Sequence, residues 1–127
     1  MPLASGLLSA KYDEQTSFAA DDHRTYNRSG EAFDVGETFA GVPFEVGVRA
    51  AREVAVLAPD GASSAATALR WVVDQLGVTT VIPGARNAEQ VRGNAAAAAL
   101  PPLSPDLQAA LHAVYDRSVR GHVHGRW

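Results

Sequence analysis

The sequence contains no cysteine, and it has little that would direct it to a membrane or to nucleic acid. The lack of cysteine excludes disulfides and thiolate metal sites and fits a reducing cytoplasm. No apolar run approaches about 18 residues, and no basic segment followed by an apolar one opens the chain, so no transmembrane or signal segment is predicted. The formal net charge of -3 gives no reason to expect nucleic acid or an acidic membrane as a partner. We therefore expect a cytoplasmic protein.

Periodicity is also missing from residues 11–41. Turn-forming residues are frequent there, as in Asp21-Asp22-His23-Arg24 and Asn27-Arg28-Ser29-Gly30. A long loop in a compact domain is usually a lid, a binding loop or a disordered segment, so this stretch fits either a lid or plain surface disorder. Its arginines, Arg24 and Arg28 among them, are scattered among acids, which predicts a solvated surface.

Residues 42–120 are dominated by helical patterns. Ser63 and the run Ser104-Pro105-Asp106 are typical helix starts, and Gly77 is a typical stop. These patterns predict four helices: Val42–Ala58, about Ser64 to Leu76, from Asn87 to about Ala99, and one that begins after Ser104. The tail, residues 121–127, shows no periodicity.

One stretch predicts a strand. Val78–Ile82 is a β-branched run that fits a buried strand, and Pro83 and Gly84 stop it. A helix follows, with Asn87 as N-cap and Gln90 positioned to reach back to it in a capping box. Helix followed by strand followed by helix is the alternation of a parallel α/β architecture, so we predict an α/β fold.

The turn between that strand and the next helix is a candidate anion site. The unpaired N–H groups at a helix N-terminus carry a partial positive charge, and Arg86 adds a fork of donors beside them. Gln90 and Asn94 lie four residues apart, hence on one face of the helix, where they could bond a nucleobase or ribose. The pattern predicts a phosphate pocket with a polar wall. The alternative is an ordinary connection with a solvated arginine.

These residues also carry a family resemblance. The run Ile82-Pro83-Gly84-Ala85-Arg86, followed by Gln90 and Asn94, resembles the last strand and helix of the aldo-keto reductases, NADPH-dependent enzymes on a (β/α)8 or TIM barrel. Pro2-Leu3-Ala4-Ser5-Gly6-Leu7-Leu8 resembles the loop after the family's seventh strand, and Ala68-Leu69-Arg70-Trp71 its seventh helix. The resemblance runs nearly end to end, but only against the C-terminal third of such an enzyme. It implies a partial barrel with one clear strand and about four helices.

The resemblance also implies NADP as the cofactor. Gly84, Ala85 and Arg86 would hold its 2′-phosphate, and Gln90 and Asn94 would contact the adenosine end. The loop that contains Pro2, Leu3, Gly6 and Leu7 would wrap the pyrophosphate, with a disordered N-terminus as the alternative.

No catalytic residue can be assigned by resemblance. The family uses a tyrosine acid, a lysine, an aspartate and a histidine, all in its first half. Asp21 and Tyr26 have the spacing of the family's aspartate and tyrosine, but Lys11 precedes them where a lysine should follow, so the match is a coincidence. His122 and His124 lack carboxylate or thiolate support, and we expect an exposed tail and no metal site.

Two functions fit these observations. The first is a C-terminal fragment of an NADPH-dependent reductase of aldehydes or ketones, which carries cofactor-binding elements and is inactive alone. The second is a non-catalytic nucleotide-binding remnant, or a half-barrel that assembles with another chain. In either case, unpaired barrel edges predict self-association.

Overall fold

The computed structural model describes residues 1–126, and every regular element in that range is helical. Six α-helices are present: α1 His23–Tyr26, α2 Phe44–Leu57, α3 Ser64–Val73, α4 Ala88–Ala97, α5 Pro105–Val114 and α6 Arg120–Val123. A π-helical turn, Tyr115–Val119, joins α5 to α6. Short 3₁₀ turns occur at Ala4–Ser9, Val35–Glu37, Phe39–Gly41 and His124–Arg126. No helix within residues 1–126 combines the length and apolar character needed to cross a membrane.

The predicted α/β fold, a partial barrel with one clear strand, is wrong. Residues 78–82 adopt no regular secondary structure, and the part of the chain that is described holds no strand or sheet. A strand exists only when its backbone pairs with another, and the sequence has a single β-branched run of this kind. Ile82, predicted to be buried, is 83% exposed. Residues 78–82 are β-branched, as the sequence shows, but they do not form a paired strand.

The predicted helices are present, with their ends shifted by a few residues. The Ser63 hydroxyl accepts from the Ala66 N–H at 3.1 Å, and the Ser104 hydroxyl accepts from the Leu107 N–H at 3.2 Å, as N-caps should. The second helix ends at Val73 instead of Leu76. The tail differs more, because its residues up to Arg126 are helical and Val123 is buried.

The stretch 11–41 is packed against the rest of the molecule, which contradicts the disordered interpretation. Asn27, Thr38 and Phe39 have no exposed surface. Arg24 is also far from solvated: its side chain is 12% exposed, pairs with Asp22 and lies with its guanidinium carbon 4.2 Å from the centre of the Phe18 ring. Residues without periodicity can thus still contribute to a core.

Two buried clusters hold the helices together. The first is largely aromatic: Phe39 and Phe44, with ring centres 5.0 Å apart, pack with Leu7 and Val48. The second joins α2 to α5 through Ala50, Val54 and Val114. Helix α2 contributes to both clusters and is therefore the central element, whereas α4 contributes to neither and packs against α3.

Candidate functional site

The N-terminus of α4 is capped as predicted, with one difference in the bonding. The Asn87 Oδ1 accepts from the Gln90 N–H at 2.9 Å. The Gln90 Oε1 accepts from the Arg86 N–H at 2.7 Å, one residue before the expected partner Asn87. The N–H groups of Ala88 and Glu89 have no acceptor among residues 1–126. Two free donors therefore remain at the positive end of the helix.

The predicted polar residue Asn94 holds the turn against the helix. Its Nδ2 donates to the Gly84 carbonyl at 3.2 Å, and the side chain is half-buried. This contact leaves the Asn94 Oδ1 free to accept a further bond. Gln90 is in the same situation, because its Nε2 is free while its Oε1 is used. Both side chains thus position the turn and keep one polar atom for a ligand.

Arg86 is the cation nearest this helix end. It is exposed, and its guanidinium has no ion-pair or hydrogen-bond partner within residues 1–126, whereas its backbone N–H donates to Gln90. Glu89, an acid in the first turn of α4, stabilises the helix end but repels an incoming anion, and the sequence pattern of the site does not indicate this. Because Glu89 is exposed, water and salt screen its repulsion of an anion. The Arg86 guanidinium and the amides of Ala88 and Glu89 are the groups available to bind an anion.

Gly84 leaves open space at the turn. A Cβ added there would meet nothing within 4 Å, and its φ lies outside the left-handed region. The chain's own packing and backbone geometry therefore do not require glycine at this position. A ligand that approaches the backbone closely would require it.

A cavity of about 520 Å³ lies beside the turn, between α3, residues 78–85 and α4. Ala85 and Asn94 line it together with apolar side chains such as Leu69, Val73 and Val91. Gly84, Arg86 and Gln90 are outside its wall. The volume falls within the range of about 300–1,000 Å³ that is usual for small-molecule sites.

The N-terminal residues of the predicted site lie elsewhere. Pro2 and Leu7 line a second, mostly apolar cavity of about 560 Å³, and Leu7 belongs to the aromatic core. Leu3 accepts backbone bonds from Gly6 and Leu8. Gly6 has a φ of +92°, and a Cβ there would meet the Tyr12 hydroxyl at 2.5 Å. The backbone conformation and the packing of Tyr12 therefore favour glycine at this position without any ligand. Ala85 and Asn94 thus line one cavity and Pro2 and Leu7 another, so the structure does not bring the two groups of predicted residues together in one site.

Other charged groups form structural pairs. The Arg24 guanidinium beside Asp22 holds the pKa of that carboxyl far below its usual range, and Arg70 lowers the pKa of Asp74 in the same way. The Tyr115 hydroxyl lies 2.9 Å from the His124 Nδ1. No cluster of three or more metal-ligating side chains occurs in the range that is described.

The α4 N-terminus brings together free amides, the Arg86 guanidinium and open space at Gly84, which is a donor set that suits an oxyanion. Comparison with known proteins gives an independent line of evidence. The sequence model of the aldo/keto reductase family matches residues 1–116 of the 127-residue chain. Neither the curated proteins nor the solved structures gave a match. Since the family match covers more than half of the chain, the chain belongs to the aldo/keto reductase family, a family of oxidoreductases.

Proposed function

We propose that this chain binds the adenosine 2′-phosphate end of NADP(H), as a cofactor-binding part of an NADPH-dependent reductase of aldehydes or ketones. The observation that carries the proposal is the unpaired Arg86 guanidinium beside two free amides at the N-terminus of α4. As part of the same proposal, the chain acts in the cytoplasm, in keeping with its lack of cysteine.

The 2′-phosphate is the group that this helix end would hold. The amides of Ala88 and Glu89 would donate to its oxygens, and the Arg86 fork would take two oxygens together. NADH lacks this phosphate, so the same residues would give a preference for NADPH.

The adenosine would lie along the face that carries Gln90 and Asn94. Gln90 offers its Nε2 as a donor and Asn94 its Oδ1 as an acceptor, since their other polar atoms are already bonded inside the chain. The apolar wall of the neighbouring cavity would suit the flat face of the base.

The chain's part in the reaction would be binding, because no catalytic residue is assigned in it. Bound NADPH supplies the hydride in the family's chemistry. Tyr26, the residue whose spacing resembles the catalytic tyrosine, is exposed, and the chain's one lysine, Lys11, precedes it where the family's lysine should follow. We expect the pure chain to leave NADPH unoxidised with a panel of aldehydes, and clear turnover would contradict this assignment.

Binding of NADPH and NADH to the pure chain tests the proposal. Arg86→Ala should weaken NADPH binding by about 10- to 100-fold, the equivalent of losing a charge-assisted pair, and leave any NADH binding unchanged. Arg92→Ala is the matched control, because Arg92 is equally exposed on α4 but lies farther from the helix N-terminus. Equal affinity of the wild-type chain for both nucleotides, or equal losses in the two variants, would overturn the proposal.

A further inference from the structure

The second cavity, of about 560 Å³, has an apolar interior and a polar rim. Buried side chains of the core, such as Leu7, Val54 and Val114, form its inner wall. Its rim carries the exposed polar residues that line it: His112, Asp116, Arg120 and His124. An apolar space with a few polar groups is the usual form of a small-molecule site, and this volume is within the usual range.

Trp71 brings to this cavity a polar atom that the chain itself does not satisfy. The residue is half-buried on α3 and lines the cavity, and its Nε1 is buried without a hydrogen-bond partner among residues 1–126. The His112 ring lies edge to face with the indole, with ring centres 5.6 Å apart, but it does not accept this bond. An indole N–H is only a donor, and burying it without an acceptor costs free energy. The cavity therefore favours a ligand that carries an acceptor.

The charges in the wall favour an uncharged ligand. Among the described residues, Asp116 and Arg120 are the permanently charged ones that line the cavity, and the Arg120 Nε donates to the Asp116 Oδ1 at 2.7 Å. The Tyr115 hydroxyl and the His124 Nδ1 are also engaged with each other. An ionised ligand would lose its hydration and find no free counter-charge.

One side of the cavity has an unusual backbone. Three of the five residues of the π-helical turn Tyr115–Val119 line it: Tyr115, Asp116 and Val119. Such turns are rare and frequently occur at functional sites. We propose that the second cavity binds a neutral, mostly apolar molecule with one acceptor oxygen, which takes the hydrogen bond of the Trp71 Nε1–H. This site is separate from the helix end at Arg86.

Three naphthalene compounds of similar size test these requirements separately. Methyl 2-naphthoate is neutral and has an acceptor, 2-isopropylnaphthalene lacks the acceptor, and 2-naphthoate is charged. The full chain should bind the ester about fivefold more tightly than the hydrocarbon, the equivalent of one hydrogen bond, and about tenfold more tightly than the carboxylate.

Nuclear magnetic resonance shows whether the indole makes the bond. The chain has two tryptophans, and the indole signal that Trp71→Phe removes belongs to Trp71. Its proton should move farther downfield with the ester than with the hydrocarbon, because only the ester can accept its bond.

Variants separate the donor from the space around it. Trp71→Phe keeps an aromatic ring but removes the donor, so the ester should bind about fivefold more weakly and the hydrocarbon as before. Val72→Phe, which fills part of the second cavity, should weaken the binding of both. Val91→Phe is the matched control, because Val91 lines the other cavity, and it should change neither affinity.

Four results would overturn the proposal. The first is no saturable binding of the ester, and the second is equal affinity for ester and hydrocarbon, since water would then satisfy the indole. The third is ester binding that Trp71→Phe leaves unchanged while circular dichroism shows the variant folded. The fourth is an equal loss in Val72→Phe and Val91→Phe. No nucleotide is present in these titrations, so their outcome does not depend on NADPH binding.

Discussion

Asn27 is the most fully bonded buried side chain in residues 11–41, the stretch without sequence periodicity. Its Oδ1 accepts from the N–H groups of Ala32 and Phe33, both at 2.8 Å, and its Nδ2 donates to the Thr38 hydroxyl at 3.1 Å. One amide thus fixes the course of the chain from Ala32 to Thr38.

Asn27→Ala should lower the free energy of unfolding by about 2 to 3 kcal/mol, because it leaves the N–H groups of Ala32 and Phe33 and the buried Thr38 hydroxyl without a partner. Thr38→Val, which removes only one of the three bonds, should cost less. Urea denaturation measures both, and equal losses in the two variants would contradict the role given to Asn27.

Asp22 and Arg24 form the second residue-scale feature. The Asp22 carboxylate accepts from the Arg24 backbone N–H at 2.9 Å and from its guanidinium, and Arg24 also donates to the Tyr12 hydroxyl at 2.6 Å. Asp22→Asn keeps an acceptor for the helix cap but removes the charge, and should destabilise the protein by about 2 kcal/mol. Asp21→Asn, at the exposed neighbour, should have little effect.

The same pair predicts a dependence on pH. Arg24 lowers the pKa of Asp22 from its ordinary value of 3.8. The stabilisation is therefore complete above that unfolded-state value and is lost progressively as the pH falls from there towards the lower folded-state pKa, because the unfolded chain then binds a proton that the folded pair does not. Urea midpoints between neutral and acid pH should converge for the wild type and Asp22→Asn below about pH 4, and a constant difference would contradict the pairing.

Residue roles of this kind were not predictable from the sequence. Arg24 and Arg28 stand among acids in a polar stretch, and composition alone predicted solvated surface for both. The local pattern does not show that the Arg24 guanidinium lies over the Phe18 ring, or that the Arg28 guanidinium lies over the ring of Phe44 from α2. Stacking over aromatic rings depends on tertiary contacts.

At the scale of elements, the connection between α3 and α4 depends on Arg70. Its guanidinium pairs with Asp74 and donates to the carbonyls of Ala98 and Leu100 at 3.1 and 3.2 Å. Asp74 in turn accepts from the Leu103 N–H at 3.0 Å. These bonds hold the C-terminal end of α4 in place. Helix α4 itself contributes to neither buried cluster.

Arg70→Leu should therefore release that end of α4. Hydrogen exchange of the amides of Ala98, Ala99, Leu100 and Leu103 should become about tenfold faster or more, while the amides of α2 stay protected. Arg52→Leu, an exposed change on α2, is the control. Uniformly faster exchange throughout the chain would show a global effect and contradict the local one.

Elements were predictable wherever their signals are local. Ser63, Asn87 and Ser104 cap helices where the sequence placed them, because a cap needs only its own first turn. The strand at Val78–Ile82 was wrong for the opposite reason, since pairing requires a second segment that local sequence cannot supply. The candidate site divides in the same way: the turn at Arg86 is local, whereas the position of Leu7 depends on the packing of the core.

At the scale of the whole molecule, α2 and the aromatic cluster form the core. The helix end proposed to bind the cofactor belongs to α4, which packs against α3 outside that core. The family match supports an oxidoreductase ancestry for residues 1–116, and the helix end at Arg86 combines free amides with an exposed cation. Binding at α4 is thus the central claim.

A nuclear magnetic resonance titration of the nitrogen-labelled chain with adenosine 2′-monophosphate tests that claim most directly. Saturable shifts should appear at the amides of Arg86, Ala88 and Glu89, and adenosine without phosphate should not produce them. Shifts confined to other parts of the chain, or none at concentrations that saturate such sites, would contradict the claim.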